Sequence, residues 1–291
     1  MLYDIRLTLA YDYASPAEAS RTLLRILPRD LDRQEVLEGV VTADPPASWR
    51  QEGTDFFGNH TVEMTHEFSL TQLSFTFTGR VRRDETDAGL DLSTTLAELA
   101  TEIEAIDSIG ADSPHHFLAP SPRVPHEPEI AAFARACLKP DMTTLAAAQA
   151  VAAALHERFE FDPTATDATT APIVAFRNRR GVCQDMSHVM IAALREIGIP
   201  AGYVSGFLRT VPPKGQERLE GADAMHAWVR CWCGHEMGWI EIDPTNDMLA
   251  GADHVTVAFG RDYSDVAPAR GSLRTAGAHV SGHGVDVVPV D

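Results

Sequence analysis

The chain has 291 residues, of which 44% are apolar, so it can bury a full hydrophobic core and is long enough for two modest domains or one large one. Its 42 acidic and 24 basic residues leave a formal charge of −18, which would repel nucleic-acid phosphates and anionic lipid headgroups. We therefore expect neither a nucleic acid nor a membrane as a partner.

No apolar stretch reaches the roughly 20 residues needed to cross a bilayer, and residues 1–6 lack the basic-then-apolar order of a secretory signal. The four cysteines, Cys137, Cys183, Cys231 and Cys233, are too few for a disulfide framework in a chain of this length. Both observations predict a cytoplasmic protein with reduced thiols.

Alternating apolar and polar residues predict β-strands in the first third of the chain. The first run carries its apolar side chains on one face: Tyr3, Ile5, Leu7, Leu9 and Tyr11. Residues 62–68 and 73–81 alternate in the same way and are separated by Thr71-Gln72, which predicts a hairpin. The pattern indicates an antiparallel β domain at the amino terminus.

Residues 84–128 are acidic and then rich in Ser, His and Pro, which predicts an irregular connection and a domain boundary. Beyond this boundary, helical spacing of apolar residues predicts three helices, at 130–138, at 143–159 and from Cys183 to Gly198. Strand patterns follow between Gly202 and Phe259. Helices followed by consecutive strands favour an α+β second domain.

Cys183 lies where a thiol can become reactive. It follows Arg179-Arg180-Gly181-Val182 and begins a predicted helix, so unpaired amides and the positive end of the helix dipole would stabilise a thiolate there. The alternative is that Cys183 acts as a small apolar residue, as a single cysteine usually does. Position alone leaves both interpretations open.

His226 and Asp243 fall on neighbouring predicted strands. The chain reverses within residues 234–238, which brings Asp243 opposite residues 226–228, and directly opposed residues are roughly 5 Å apart. A carboxylate can therefore reach the imidazole. For one histidine among twelve, a purely structural role is the alternative, and the neighbouring acid is what favours a chemical one.

A thiol at a helix start, a strand histidine and an acid on the next strand have a shared chemical use. The histidine takes the thiol proton or holds it in an ion pair, and the aspartate fixes the ring's tautomer and orientation. The thiolate attacks an amide or ester carbonyl to give a thioester, which water or an amine resolves. The backbone N–H of Cys183 is a candidate oxyanion donor.

Three strings resemble the bacterial transglutaminase-like family: Gly181-Val182-Cys183-Gln184-Asp185, His226-Ala227-Trp228-Val229 and Asp243-Pro244-Thr245-Asn246. The Cys, His and Asp of these strings are catalytic in that family, which implies the same roles for Cys183, His226 and Asp243. Residues 260–268 look like the family's closing signature. Residues 25–29, Gln34 and residues 57–59 are similar to its amino-terminal β domain.

The resemblance implies an α+β protein, with an antiparallel β-sandwich domain at residues 1–110 and a papain-like (transglutaminase-core) catalytic domain at 125–291. It implies cysteine-dependent acyl transfer through a thioester on peptide or glutamine-type amides, with no metal or organic cofactor. We expect hydrolysis, as in a protease or amidase, with transamidation second. The alternative is a non-catalytic protein-binding scaffold of the same fold, although the intact set of three residues argues against it.

Two further residues are candidate substrate contacts. Trp228 shares a strand face with His226 and is expected to line the cleft, with core packing as the alternative. Gln184 follows the nucleophile and either supports the site or starts the helix. Gly202 stands where relatives usually carry arginine, a departure that bears on substrate contacts rather than on the nucleophile.

A zinc site at Cys231-x-Cys233-x-His235 is a rival interpretation. The spacing is not that of a strong Cys-x-x-Cys pair, no second ligand pair follows, and period two turns both thiols away from His226. We therefore expect Cys231 and Cys233 to be buried apolar residues and expect no metal site. Cys137 lies on the apolar stripe of a helix and is also expected in the core.

Overall fold

Two main β-sheets and six α-helices make up the described part of the chain, which in this computed structural model comprises residues 1–85, 89–210 and 223–290. The strands are β1 (Leu2–Leu24), β2 (Gln34–Asp44), β3 (Trp49–Thr54), β4 (His60–His66), β5 (Leu70–Arg83), β6 (Glu160–Phe161), β7 (Arg180–Gly181), β8 (Ala201–Leu208), β9 (Ala224–Trp232), β10 (Trp239–Asp243), β11 (Met248–Leu249), β12 (His254–Gly260), β13 (Ala269–Arg274) and β14 (His279–Val290). The helices are α1 (Leu96–Glu104), α2 (Pro128–Cys137), α3 (Thr144–Arg158), α4 (Pro172–Asn178), α5 (Cys183–Glu196) and α6 (Tyr263–Val266), with a short 3-10 helix at Pro114–Phe117.

The long strand β1 organises the amino-terminal sheet. Its first half pairs antiparallel with β5 and β14, and its second half pairs antiparallel with β4 and β13. Strand β2 extends the first group beyond β5, and β3 extends the second beyond β4. The seven strands therefore form a curled sheet of two four-stranded halves that share β1, which confirms the predicted antiparallel β-sandwich.

Two local predictions for this region are wrong. Within the described residues β4 and β5 do not pair with each other, because β1 lies between them in the sheet order, so residues 62–68 and 73–81 form no hairpin. The connection predicted to be irregular contains α1. Thr95 caps this helix by accepting a hydrogen bond from the Glu98 N–H, while the Glu98 carboxylate accepts from the Thr95 N–H.

The two ends of the chain share one sheet. Strand β14 lies beside β1 over twelve residue pairs, from Leu2 with Val290 to Tyr13 with His279. Val285 and Val287 on β14 are fully buried. The sheet of the region expected at 1–110 therefore includes two strands, β13 and β14, from the region expected at 125–291.

The second large sheet is antiparallel, with the strand order β11-β10-β9-β8-β12. Helix α5 packs on β9 and β8, and α2, α3 and α4 pack against α5. Every residue of α5 from Asp185 to Leu194 is buried, because neighbours surround the helix on all sides. This arrangement of helices on one antiparallel sheet confirms the α+β prediction.

The strand β12 forms an edge of this second sheet, and two amide side chains of the amino-terminal region hold it. The Gln34 side chain donates to the Thr256 carbonyl at 2.7 Å and accepts from the Thr256 N–H at 2.8 Å. The Asn59 side chain does the same with Phe259, at 2.7 and 2.8 Å. Both side chains thereby satisfy backbone groups that an edge strand leaves unpaired.

The two sheets also share one hydrophobic core. Phe77 on β5 stacks on Phe207 of β8, with ring centroids 6.2 Å apart and planes at 13°. Both rings are essentially fully buried. Among the described residues, no helix is long and apolar enough to span a bilayer.

Because Phe77 joins the two sheets, its removal is expected to destabilise both together. Phe77→Ala should lower the free energy of unfolding by about 3–5 kcal/mol, through lost burial and the cavity left behind. Denaturant titration followed by circular dichroism and tryptophan fluorescence should show coincident transitions at lower denaturant. Leu90→Ala, at an exposed position, is the control and should change stability by at most about 0.5 kcal/mol. Two separate transitions in the unmodified protein would contradict a shared core.

Candidate active site

The start of α5 presents Cys183. The preceding residues 180–181 are held in β7, which pairs in parallel with β6. The Asp185 carboxylate accepts hydrogen bonds from the Val182 N–H at 2.9 Å and from the Thr166 hydroxyl at 2.6 Å, which closes the first turn of the helix. Cys183 is partly exposed. As the first residue of the helix, its N–H has no acceptor within the helix.

His226 and Asp243 meet across the hairpin of β9 and β10. Ile242 lies opposite Val229, so the next position, Asp243, falls beside Trp228 and diagonal to His226. The Nε2 atom of His226 is 2.8 Å from Oδ2 of Asp243. The sequence-based prediction that Asp243 reaches the imidazole is therefore confirmed.

The Cys183 side chain lies close enough to the His226 ring to raise the pKa of that ring. Because Nε2 faces Asp243, Nδ1 is the ring nitrogen left for the sulfur. Burial of the ring disfavours its charged form, but the hydrogen bonds and charges of Asp243 and Cys183 outweigh burial and raise the pKa of His226 to about 10. The geometry thus favours a protonated imidazole beside the Asp243 carboxylate.

The Asp243 carboxylate is completely buried and accepts five hydrogen bonds. Oδ2 accepts from His226, from His254 Nε2 at 3.1 Å and from Asn246 Nδ2 at 2.6 Å. Oδ1 accepts from the backbone N–H groups of Thr245 and Asn246, at 2.9 and 3.2 Å. Burial raises the pKa of Asp243, but these hydrogen bonds and the His226 charge overcome it and hold the pKa well below its ordinary value. Asp243 is therefore a fixed carboxylate.

His254 is a site residue that the sequence analysis missed. It begins β12, is almost fully buried, and its Nδ1 accepts the Gly251 N–H at 3.2 Å. Nδ1 must then carry a lone pair, so in the neutral ring Nε2 carries the proton that is directed at Asp243. The sequence showed only a histidine before an apolar strand, and no spacing rule relates it to Asp243.

His226, Asp243 and His254 also form a group whose atoms are close enough to hold a metal ion. The polarity of the contacts fits a hydrogen-bonded group better. A metal-ligating histidine normally donates its second ring N–H to an acceptor, whereas Nδ1 of His254 accepts from a backbone N–H. Its Nε2 therefore has a proton where a metal ligand needs a free lone pair.

The two expected substrate contacts differ in the structure. Trp228 is fully buried, so its expected place in the cleft wall is wrong: its Nε1 donates to Glu241 at 2.6 Å, and its ring stacks on His226 at 6.0 Å. Trp228 supports the imidazole from within the core. Gln184 is partly exposed beside Cys183 and donates to the Ala168 carbonyl at 3.3 Å.

The remaining thiols lie elsewhere. Cys231 and Cys233 are buried with their sulfurs 3.7 Å apart, while His235 is exposed and its ring packs on Trp232. In the part of the chain that the structure describes, no metal-competent group includes these three residues. Cys137 is partly buried on α2, which raises the pKa of its thiol.

Comparison with known sequence families agrees with this arrangement. Residues 131–244 match the model of the transglutaminase-like superfamily, and residues 3–82 match the bacterial transglutaminase-like N-terminal region. The first match contains Cys183, His226 and Asp243. The second contains β1 to β5 almost entirely.

Relatives extend the similarity over almost the whole chain. An uncharacterized protein of Mycobacterium tuberculosis is 31% identical over 293 residues, covering 97% of this chain and 90% of the relative. An uncharacterized protein of Mycobacterium leprae is 32% identical over 276 residues, covering 92% and 91%.

A solved structure shares the fold. The crystal structure described as a "putative cysteine protease" from Cytophaga hutchinsonii superposes with a TM-score of 0.76 at 22% identity, covering 100% of this chain and 91% of the other. Together, the two family matches, the relatives and the shared fold lead to one conclusion. The chain belongs to the bacterial transglutaminase-like family, with a transglutaminase-like core and the N-terminal region characteristic of that family.

Proposed function

We propose that the protein is a cysteine-dependent acyl-transfer enzyme in which Cys183 is the nucleophile, His226 the proton carrier and Asp243 the residue that orients His226. The observation that carries this proposal is the hydrogen bond from His226 to the buried Asp243, with the partly exposed Cys183 close enough to the same ring to raise its pKa. Membership of the transglutaminase-like superfamily supports an enzyme of this general kind.

In the first half of the proposed reaction, the Cys183 thiolate attacks the carbonyl carbon of an amide. The bond from that carbon to nitrogen breaks, and the His226 imidazolium donates its proton to the leaving amine. A thioester on Cys183 remains. The N–H of Cys183, which has no acceptor within α5, is suited to bind the developing oxyanion, because the helix dipole and the amide both favour negative charge there.

In the second half, water or a primary amine attacks the thioester carbonyl. His226 takes a proton from the attacking group, the carbon–sulfur bond breaks, and the thiolate–imidazolium pair is restored. Water yields a carboxylic acid and an amine yields a new amide. We propose hydrolysis of peptide or glutamine-type amides as the main reaction, with transamidation as the second outcome, and Gln184 as a substrate contact.

A non-catalytic scaffold gives no reason for the free-energy cost of burying the ionised Asp243. Burying a charged carboxylate is unfavourable unless partners compensate it, and five hydrogen-bond donors compensate the charge of Asp243. A protein-binding surface requires no such group beneath an accessible thiol. The cost is explained if the imidazole must be held at the sulfur.

An acyl adduct on Cys183 is the expected signature of this chemistry. Incubation with cell lysate and rapid acid quenching should give a mass increase on the peptide that contains Cys183, and an added primary amine should reduce that adduct while appearing in the product. Cys183→Ala should give no adduct, and the matched control Cys137→Ala should behave as the unmodified protein. A protein that binds lysate components but never carries an acyl group on Cys183 would be a scaffold.

The protonation of His226 should depend on Asp243. In Asp243→Asn the carboxylate charge is lost, and since that charge and its hydrogen bond raise the pKa, the pKa of His226 should fall from about 10 by about one to three units. Titration of the histidine ring by NMR measures this shift. The exposed Asp141→Asn is the control for loss of one negative charge. An unchanged His226 pKa in a folded Asp243→Asn protein would refute the role assigned to Asp243.

A further inference from the structure

His254 makes a second imidazole contact with the carboxylate that orients His226. Its Nε2 is 3.1 Å from the same oxygen, Oδ2 of Asp243, that accepts from His226 at 2.8 Å. The Gly251 N–H on Nδ1 fixes the tautomer that donates toward Asp243. Because Asp243 is completely buried, bulk water does not replace this donor when it is removed.

The Trp228 ring, against which His254 packs, occupies space left by a glycine. His254 and Asp243 belong to β12 and β10, and β8 and β9 lie between these strands in the sheet. The His254 ring packs edge-on to Trp228 at 5.1 Å. A Cβ at Gly206 of β8 would overlap the Trp228 indole and the Val255 carbonyl. The missing side chain thus leaves space where the rings of β9 and β12 approach each other.

The strand that carries His254 is held along its length by the amino-terminal region. Gln34 pairs with the backbone of Thr256 and Asn59 with that of Phe259. Just before His254, the Asp253 carboxylate accepts a hydrogen bond from the Tyr3 hydroxyl at 2.8 Å. Contacts from β1, from the start of β2 and from the turn before β4 therefore determine where β12 lies.

We propose that His254 is a positioning residue for the Asp243–His226 pair, and that the amino-terminal β domain sets the position of His254 through its contacts with β12. This inference rests on the proposed function, since it assigns His254 to the same reactive thiol. The amino-terminal domain then supplies part of the active-site geometry without contributing a group that touches substrate.

A simpler role is that of a buried histidine whose hydrogen bonds merely stabilise the fold. The two roles differ in what restores function. The side-chain nitrogen of glutamine is as many bonds from Cα as Nε2 of histidine, so His254→Gln can still donate to Asp243. The asparagine side chain in His254→Asn is one bond shorter, so its nitrogen does not reach Asp243. His254→Phe keeps a ring at this position but has no hydrogen-bond donor.

The test is the rate at which iodoacetamide alkylates Cys183, measured by mass spectrometry across pH with Cys137 of the same molecule as the reference thiol. The unmodified protein should label Cys183 at least about tenfold faster than Cys137 near pH 7. Loss of a hydrogen bond to a charged group should slow Cys183 by at least about tenfold in His254→Phe and His254→Asn, whereas His254→Gln should remain within about twofold. The thermal unfolding of each variant is measured alongside its alkylation rate to show that the variant is folded.

The contribution of the amino-terminal domain is tested by combining substitutions. Gln34→Leu removes both hydrogen bonds to Thr256 and should slow the alkylation of Cys183. When His254→Phe is already present, Gln34→Leu should slow the alkylation much less, because both substitutions act through His254. Additive effects would overturn this part of the inference.

Each remaining outcome decides between the proposals. If all three His254 variants label as fast as the unmodified protein, or if His254→Gln is as slow as His254→Asn, the positioning role is wrong. Should His254→Phe fail to fold, the comparison of His254→Gln with His254→Asn, two amides that differ only in reach, decides the question. If Cys183 of the unmodified protein labels no faster than Cys137, the proposed function itself fails.

Discussion

The buried carboxylate of Asp243 determines how the candidate active site is arranged. A carboxylate without solvent remains ionised only when donors surround it, and here two imidazoles, one amide side chain and two backbone N–H groups do so. The charge in turn keeps a proton on His226, whose other ring nitrogen is left for Cys183. Exposure increases in the same order, from the fully buried acid to the partly exposed thiol.

The amino-terminal sheet is part of this arrangement and not an appendage to it. Strands from both ends of the chain form it, Phe77 stacks on Phe207 across the shared core, and Gln34 and Asn59 satisfy the edge of β12. An edge strand without these partners would expose unpaired backbone groups and leave His254 unsupported. The region matched at residues 3–82 therefore also stabilises the sheet that carries the candidate active site.

The sequence predicted which segments become strands and helices better than it predicted their partners. Alternation identifies strands such as β1 and β4 from local residues, but the partners of β1 lie up to 288 residues away, as for Leu2 and Val290. Asp243 was predictable beside His226 because a tight hairpin joins their strands. His254 was not, since its contact crosses two intervening strands, and Trp228 proved buried because both faces of β9 are covered.

We propose that folding keeps Cys183 and His226 as a thiolate–imidazolium pair. The most direct measurement is the ultraviolet absorbance of the thiolate, taken as the difference between the protein and its Cys183→Ser variant. We expect a thiolate signal of about one sulfur per chain near pH 7, which Cys183→Ser should lack. Identical spectra of the two proteins at that pH would contradict it.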